Sequence, residues 1–126
     1  MKVIETSKAP IPNGHYSQAV QVGNTVYLSM QLPINPETKE QKLGSIEDQT
    51  YQVLNNILNI VEASGGHKNN IVKVTVYVSD ISFWQAVNDI YTQFMGDHKP
   101  ARGVVPVSSL HMGYQIGLDV VAVLDE

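Results

Sequence analysis

The chain has no cysteine among its 126 residues. Disulfides, zinc–thiolate sites and a cysteine nucleophile are thereby excluded. Charge is sparse as well, at 16% of residues, with eight Lys and Arg against twelve Asp and Glu and a formal net charge of −4. No basic cluster of useful length occurs, so electrostatic binding to nucleic acid or to an anionic membrane has no footprint. No apolar run approaches the roughly 20 residues that a membrane-spanning helix needs. A glycine-rich phosphate loop is missing too. Gly65-Gly66 lacks the lysine and spacing of one and reads as a helix stop. The four histidines, His15, His67, His98 and His111, show no pair at helical ligand spacing, so no metal site is expected. Ser17 and Ser29 have no adjacent base in sequence, which argues against a catalytic triad.

What is present is ordinary globular composition, 43% hydrophobic, and the length suits one domain, residues 1–126, with a proper core. The opening Met1 to Thr6 lacks the apolar stretch of a signal peptide and carries acidic Glu5, so a soluble cytoplasmic protein is expected. Lys2 to Thr6 reads as a short edge strand. A loop with two prolines and Asn13-Gly14 delivers His15 to Gln18 into a strand at Ala19 to Val22. Gly23-Asn24 is a two-residue hairpin connection to Thr25 to Gln31. Asn35 to Gly44 reads as an exposed polar loop. Ser45 with Asp48 suits a capping box. Apolar residues at Val53, Leu54, Ile57, Leu58 and Val61 then repeat near 3.6, which predicts a helix over Ile46 to Ala63.

Ile71 to Ser79 alternates. Val72, Val74, Val76 and Val78 fall on one face, with Lys73, Thr75, Tyr77 and Ser79 on the other, as in a strand buried on one side. Ser82 with Gln85 suits a second capping box. It opens a helix over Phe83 to Met95 whose apolar face is Trp84, Val87, Ile90, Tyr91 and Phe94. Strands are expected at Val104 to Val107 and Ile116 to Leu124. Long helices set between strands imply an α+β fold with both helices on one face of a mixed sheet.

The stretch Lys99-Pro100-Ala101-Arg102-Gly103 organises the C-terminal quarter. Proline biases Lys99 toward extended structure, so the helix before it cannot run on. Arg102 then stands at the entrance to a strand. A guanidinium stays charged and matches a carboxylate bidentately. Two readings stand: a surface arginine in a rim ion pair, or an anchor for a small carboxylic acid.

Four segments carry a family resemblance across nearly the whole chain. Gly14-His15-Tyr16-Ser17-Gln18-Ala19 resembles a Gly-Pro-Tyr-Ser-Gln-Ala box. Ser29-Met30-Gln31-Leu32-Pro33 resembles Ser-Gly-Gln-Ile-Pro. Val87-Asn88-Asp89-Ile90-Tyr91 is similar to Val-Asn-x-x-Tyr, and Lys99-Pro100-Ala101-Arg102 is similar to an arginine-containing turn. In that order they resemble the RidA/YjgF family of reactive-intermediate deaminases. The resemblance implies a chorismate-mutase-like fold, a homotrimer with clefts between subunits, and hydrolysis of 2-imino or 2-enamino acids to 2-oxo acids and ammonia without a cofactor. It implies that Arg102 clamps the substrate carboxylate, while the backbone N–H of Val104 and the side chains of Tyr16, Ser29 and Asn88 line the cleft.

Three positions depart from the family pattern. Met30 replaces a glycine beside Ser29. Gly103 follows Arg102, where serine is common. Gly117 stands where the resemblance implies a glutamate that holds the attacking water. Asp119 lies on the same strand face, about 6–7 Å further along, too far to stand in without a shift in substrate pose. The alternative to an imine deaminase is therefore a non-catalytic module that binds a small carboxylate such as a 2-oxo acid. RNA cleavage, a label sometimes attached to the family, is disfavoured by the acidic balance.

Overall fold

In the computed structural model, which describes residues 1–38 and 43–125, two helices pack against one face of a six-stranded mixed sheet. In chain order the elements are β1 (Lys2–Ile4), β2 (Ala19–Val22), β3 (Thr25–Gln31), α1 (Ile46–Ala63), β4 (Ile71–Val78), α2 (Trp84–Met95), β5 (Ala101–Pro106) and β6 (Ile116–Val123). The spatial order is β1-β2-β3-β6-β4-β5. Only the β4–β5 pair is parallel, so β5 is an edge strand reached through α2. Part of the expected loop at 35–44 lies outside the described residues. Within the described part, Asn35 Oδ1 accepts from the backbone N–H groups of Glu37 and Thr38.

Rows of residues across the sheet alternate between its two faces. Leu28, Val120 and Val74 form one row, and that row ends at Arg102. It faces the helices and is buried up to its last member. The neighbouring row on the other face runs from the Ser29–Met30 step through Asp119 and Thr75 to Gly103. The core lies between the first face and the apolar stripes of α1 and α2, with Val53, Ile57, Ile60, Val74, Val76, Ile116 and Leu118 all at 1% exposure or less. The other face carries no helix.

Ser45 caps α1 as expected: its side chain accepts from the Asp48 N–H at 3.0 Å. At the other end Gly65 adopts φ +93°, which only glycine takes readily. A Cβ on Gly66 would stand 2.7 Å from Leu124 Cδ2 and 3.2 Å from Val61 Cγ1, so a larger residue there would have to displace the Leu124 side chain.

Several boundaries differ from expectation for identifiable reasons. The second helix does not open on a Ser82–Gln85 box. Asp80 accepts from the Ser82 N–H at 2.8 Å and caps a 3₁₀ turn, Ile81–Phe83, from which α2 continues at Trp84 without a side-chain cap. That bond holds the Asp80 carboxyl below its ordinary pKa. Val72 is exposed, not buried with the other valines, because a bulge between Ile71 and Lys73 puts Ile71 inside instead. Trp84 is 40% exposed and Met95, not foreseen on the apolar face, is buried. The last strands also shift slightly: β5 begins at Ala101, so Arg102 lies within a strand and not at its entrance.

Candidate functional site

Arg102 is the only arginine in the chain. Gly96 ends α2, and the return to the sheet is pinned by His98, whose Nε2–H donates to the Ile71 carbonyl at 2.7 Å. Pro100 then leads into β5, and pairing with Val74 turns the Arg102 side chain toward α2. There its Nη1 donates to Asn88 Oδ1 at 3.0 Å. The guanidinium lies 4.7 Å from the Tyr91 ring centroid and 6.0 Å from that of Trp84. Trp84, Asn88 and Tyr91 recur at helical spacing, so one stripe of α2 supplies all three contacts. Only one of the five guanidinium N–H donors is used by the Asn88 bond.

Beside this arginine is a cleft of about 370 Å³ lined by Asn88, Tyr91, Thr92, Met95, His98, Lys99 and Arg102, with Gly96 and Pro100. Two lining side chains are cationic and none is acidic, which suits a small anion. Burial raises the Tyr91 hydroxyl pKa, partly offset by the charge of Arg102. That hydroxyl is buried and has no hydrogen-bond partner among the described residues. Sequence reasoning missed Tyr91, Thr92, Met95, His98 and Lys99 as cleft residues, though the last two immediately precede the organising Pro100. Val104, opposite Val76, packs its side chain partly against the core.

The remaining expected site residues gather elsewhere. Gln18 is 1% exposed. Its Oε1 accepts from the Thr6 N–H at 2.7 Å, and its Nε2 donates to the carbonyls of Thr6 and Pro10 at 3.0 and 2.9 Å. The N-terminal loop is thereby fastened to β2, and its Tyr16 ring lies half-exposed over Gly14. Ser29 Oγ donates to the Ser17 carbonyl at 2.6 Å, and the Ser29 N–H donates to the Gln18 carbonyl at 2.9 Å. Between Leu28 and Gln31 the β3–β6 register shifts, and this places Ser29 and Met30 against Asp119.

Gly117 sits on the helix-free face, and the space beside it is taken. A Cβ there would lie 3.1 Å from Met30 Sδ and 3.4 Å from Met30 Cγ. The two departures from the family pattern are therefore one packing arrangement: the large residue at 30 fills the room left by the small one at 117. Two positions along β6, Asp119 Oδ2 accepts from the Tyr77 hydroxyl at 2.9 Å. This bond, with burial secondary, raises the Tyr77 hydroxyl pKa. Gly103 departs differently, since a Cβ there would meet nothing within 4 Å.

Within one chain the two groups do not meet. Gly117 pairs with Tyr77, and Tyr77 with Val105, three residues along β5 from Arg102. That is about 10 Å along the strand and two strand spacings of about 4.8 Å across, on opposite faces of the sheet. Arg102 and Asn88 therefore stand together at the β5 edge, with Val104 one row further along the same strand, whereas Ser29, Met30 and Gly117 gather on the helix-free face and Tyr16 in the loop beside them.

Comparison with known proteins identifies the family. The family model described as Endoribonuclease L-PSP matches residues 6–124. A RutC family protein of Pyrococcus abyssi is 44% identical over 121 residues, covering 96% of this chain and 95% of its own. The 2-iminobutanoate/2-iminopropanoate deaminase of Dermatophagoides farinae is 39% identical over 124 residues, covering 98% and 97%. The crystal structure of RidA from the Antarctic bacterium Psychrobacter sp. superposes with a TM-score of 0.94 at 40% identity, over 98% of this chain and all of that one. The chain belongs to the RidA/YjgF family. Its sheet and paired helices are the chorismate-mutase-like fold of that family. Among the described residues, no helix is long and apolar enough to cross a membrane.

Proposed function

We propose that this RidA/YjgF protein hydrolyses small 2-imino or 2-enamino acids to 2-oxo acids and ammonia, in clefts completed between copies of the chain. Arg102 holds the substrate carboxylate. Asn88 aims its guanidinium, the Val104 N–H steadies the bound acid, and Tyr16 and Ser29 of a second copy close the cleft. The observation that carries this reading is the sole arginine, stacked on Tyr91 and fixed by Asn88 beside a cleft with no acidic lining. Such an arrangement suits one small carboxylate. The net charge of −4 gives no support to a nucleic-acid substrate.

An imine carbon is already electrophilic. The protein needs to orient it, hold its carboxylate and supply water, and orientation by itself contributes several kcal/mol. The assembly is a homotrimer. This is supported by the separation of the two half-sites and by the helix-free face, which exposes Val3, Tyr27, Met30, Val105 and Val123 at 40–55%. Light scattering at micromolar concentration should give three times 13.9 kDa, and a monomer mass would refute the shared cleft.

A second reading, a 2-oxo acid binding module without turnover, is favoured by Gly117, which has no side chain to hold water. Ammonia release from freshly generated imines, set beside calorimetric titration with 2-oxo acids, separates the two. Release above the buffer rate is expected. Binding without release leaves the module.

A further inference from the structure

The helix-free face of β6 carries a carboxylate that the packing of the sheet prepares for chemistry. Asp119 is half-buried, opposite the Ser29–Met30 step on β3 and Thr75 on β4. Tyr77 is paired with Gly117, yet its hydroxyl reaches diagonally to Asp119 Oδ2 at 2.9 Å. Diagonal contacts of this kind lie within reach of an aromatic side chain. Asp119 Oδ1 has no protein partner among the described residues. One oxygen is therefore pinned and the other is open, on the row that also holds Ser29.

Met30 decides where a ligand can lie. Its thioether occupies the space beside Gly117, where Gln31 adds only a backbone carbonyl, so that point carries no carboxylate and no other ionisable group. Asp119, one pleat (~6.7 Å) along β6 from position 117, is the carboxylate of that strand opposite the Ser29–Met30 step. We infer that Asp119 is the water-activating carboxylate of this chain, with Tyr77 as its positioning residue. The inference rests on the deaminase reading above and adds the group that performs the proton transfer.

In the reaction, water attacks the carbon of the protonated imine (C=NH2+) as one of its protons passes to Asp119 Oδ1. The new C–O bond forms, and the C=N π pair moves to nitrogen. Asp119 then returns that proton to the amino group of the carbinolamine. The C–N bond breaks, ammonia leaves with the pair, and the hydroxyl proton passes through the regenerated Asp119 carboxylate to solvent, yielding the 2-oxo acid. One water is consumed and no oxidant or metal is required. On the strands flanking Asp119, the titratable groups of the same face are Lys73 and Tyr77 on β4 and Tyr27 on β3.

The test compares wild type, Asp119→Asn, Asp119→Ser and Tyr77→Phe in ammonia release across pH, in 2-oxo acid affinity by calorimetry, and in thermal unfolding. Asp119→Asn keeps the shape of the side chain. It should lower kcat about 10²–10³-fold, remove the acidic limb of the pH profile and change 2-oxo acid Kd less than about threefold. Asp119→Ser should behave alike. Tyr77→Phe should lower kcat with 2-oxo acid affinity retained, a split that a merely structural contact would not give. Turnover of Asp119→Asn within twofold of wild type overturns this assignment and leaves the deaminase standing. Affinity falling as far as turnover makes Asp119 a binding group and also overturns it. Wild-type release at the buffer rate overturns the deaminase reading and this inference together.

Discussion

Replacing Gly117 by glutamate is the sharpest perturbation of this site. The new Cβ would meet Met30 Sδ at 3.1 Å, Met30 Cγ at 3.4 Å and the Gln31 carbonyl at 3.4 Å. Only the first contact is too close, and it involves the end of a flexible side chain that is 40% exposed. Met30 can therefore swing outward. It then gives up its partial burial, about 1 kcal/mol for half a methionine side chain. The strand gains about 0.5–1 kcal/mol from losing a glycine. The two nearly cancel, so Gly117→Glu alone should change stability by no more than about 1 kcal/mol.

Met30→Gly alone loses the thioether cover and adds a glycine to β3, and should cost about 2 kcal/mol. In the paired variant the glutamate stem fills the space that Met30 leaves. The combined cost should fall short of the sum of the singles by about 1 kcal/mol, a coupling expected of residues in contact. Urea denaturation of the four proteins measures this directly. Ammonia release from small 2-imino acids should rise clearly, tenfold or more, only in the paired variant, where the carboxylate has a fixed place. Positioned acid/base groups contribute about 10²–10⁴-fold in full. Additive stabilities, or an equal rate gain from Gly117→Glu alone, would refute the view that Met30 and Gly117 are one packing unit.

Arg102→Ala should weaken 2-oxo acid binding by about 2–5 kcal/mol by calorimetry, and Arg102→Lys should recover little, because a point charge lacks the fork. Unchanged affinity would remove Arg102 from the site. Burial raises the pKa of Tyr91 and Tyr114, and the Asp119 bond raises that of Tyr77. The folded state therefore favours the neutral phenols. Their contribution is complete below pH 10 and is lost as pH climbs through the raised values. Thermal unfolding should show stability falling above pH 10. The Tyr114 hydroxyl is buried without a partner among the described residues, so Tyr114→Phe should be neutral or stabilising by up to about 1 kcal/mol and should flatten that alkaline decline. A steeper decline in Tyr114→Phe would contradict the argument.

The parts of the fold that depend on local chemistry could be read from the sequence. Ser45 and the 3.6-residue stripe define α1, with its ends where expected, because cap and periodicity act within a few residues. Gly23-Asn24 marks the β2–β3 hairpin for the same reason. The readings that failed assumed uniform alternation or a single cap. Periodicity alone makes Val72 a core residue, whereas a bulge that depends on β6 pairing turns it outward. Ser82 looks like a cap, but Asp80 lies two residues earlier and takes the Ser82 N–H for its own turn. In the site, Asn88 and Arg102 are legible as separate residues. Their contact is not, because they stand fourteen positions apart with a helix reversal between them.

The division of the site into two halves follows from the same alternation that builds the core. Arg102 is in register with Val74, so it must share the helix face. Gly117 lies between Ile116 and Leu118, both buried against the helices, so it must face away. A one-residue slip of either strand would bring Arg102 and position 117 to a common face, but only by turning a row of valines or leucines into solvent. The core thus keeps Arg102 and position 117 on opposite faces of one chain. In the proposed shared cleft, a second copy brings its helix-free side to the Arg102 edge. A cleft built in that way is tuned from two directions. Changes on α2 and β5 alter how the carboxylate is held. Changes on β3 and β6, where Met30, Gly117 and Asp119 lie, alter what happens to the carbon beside it.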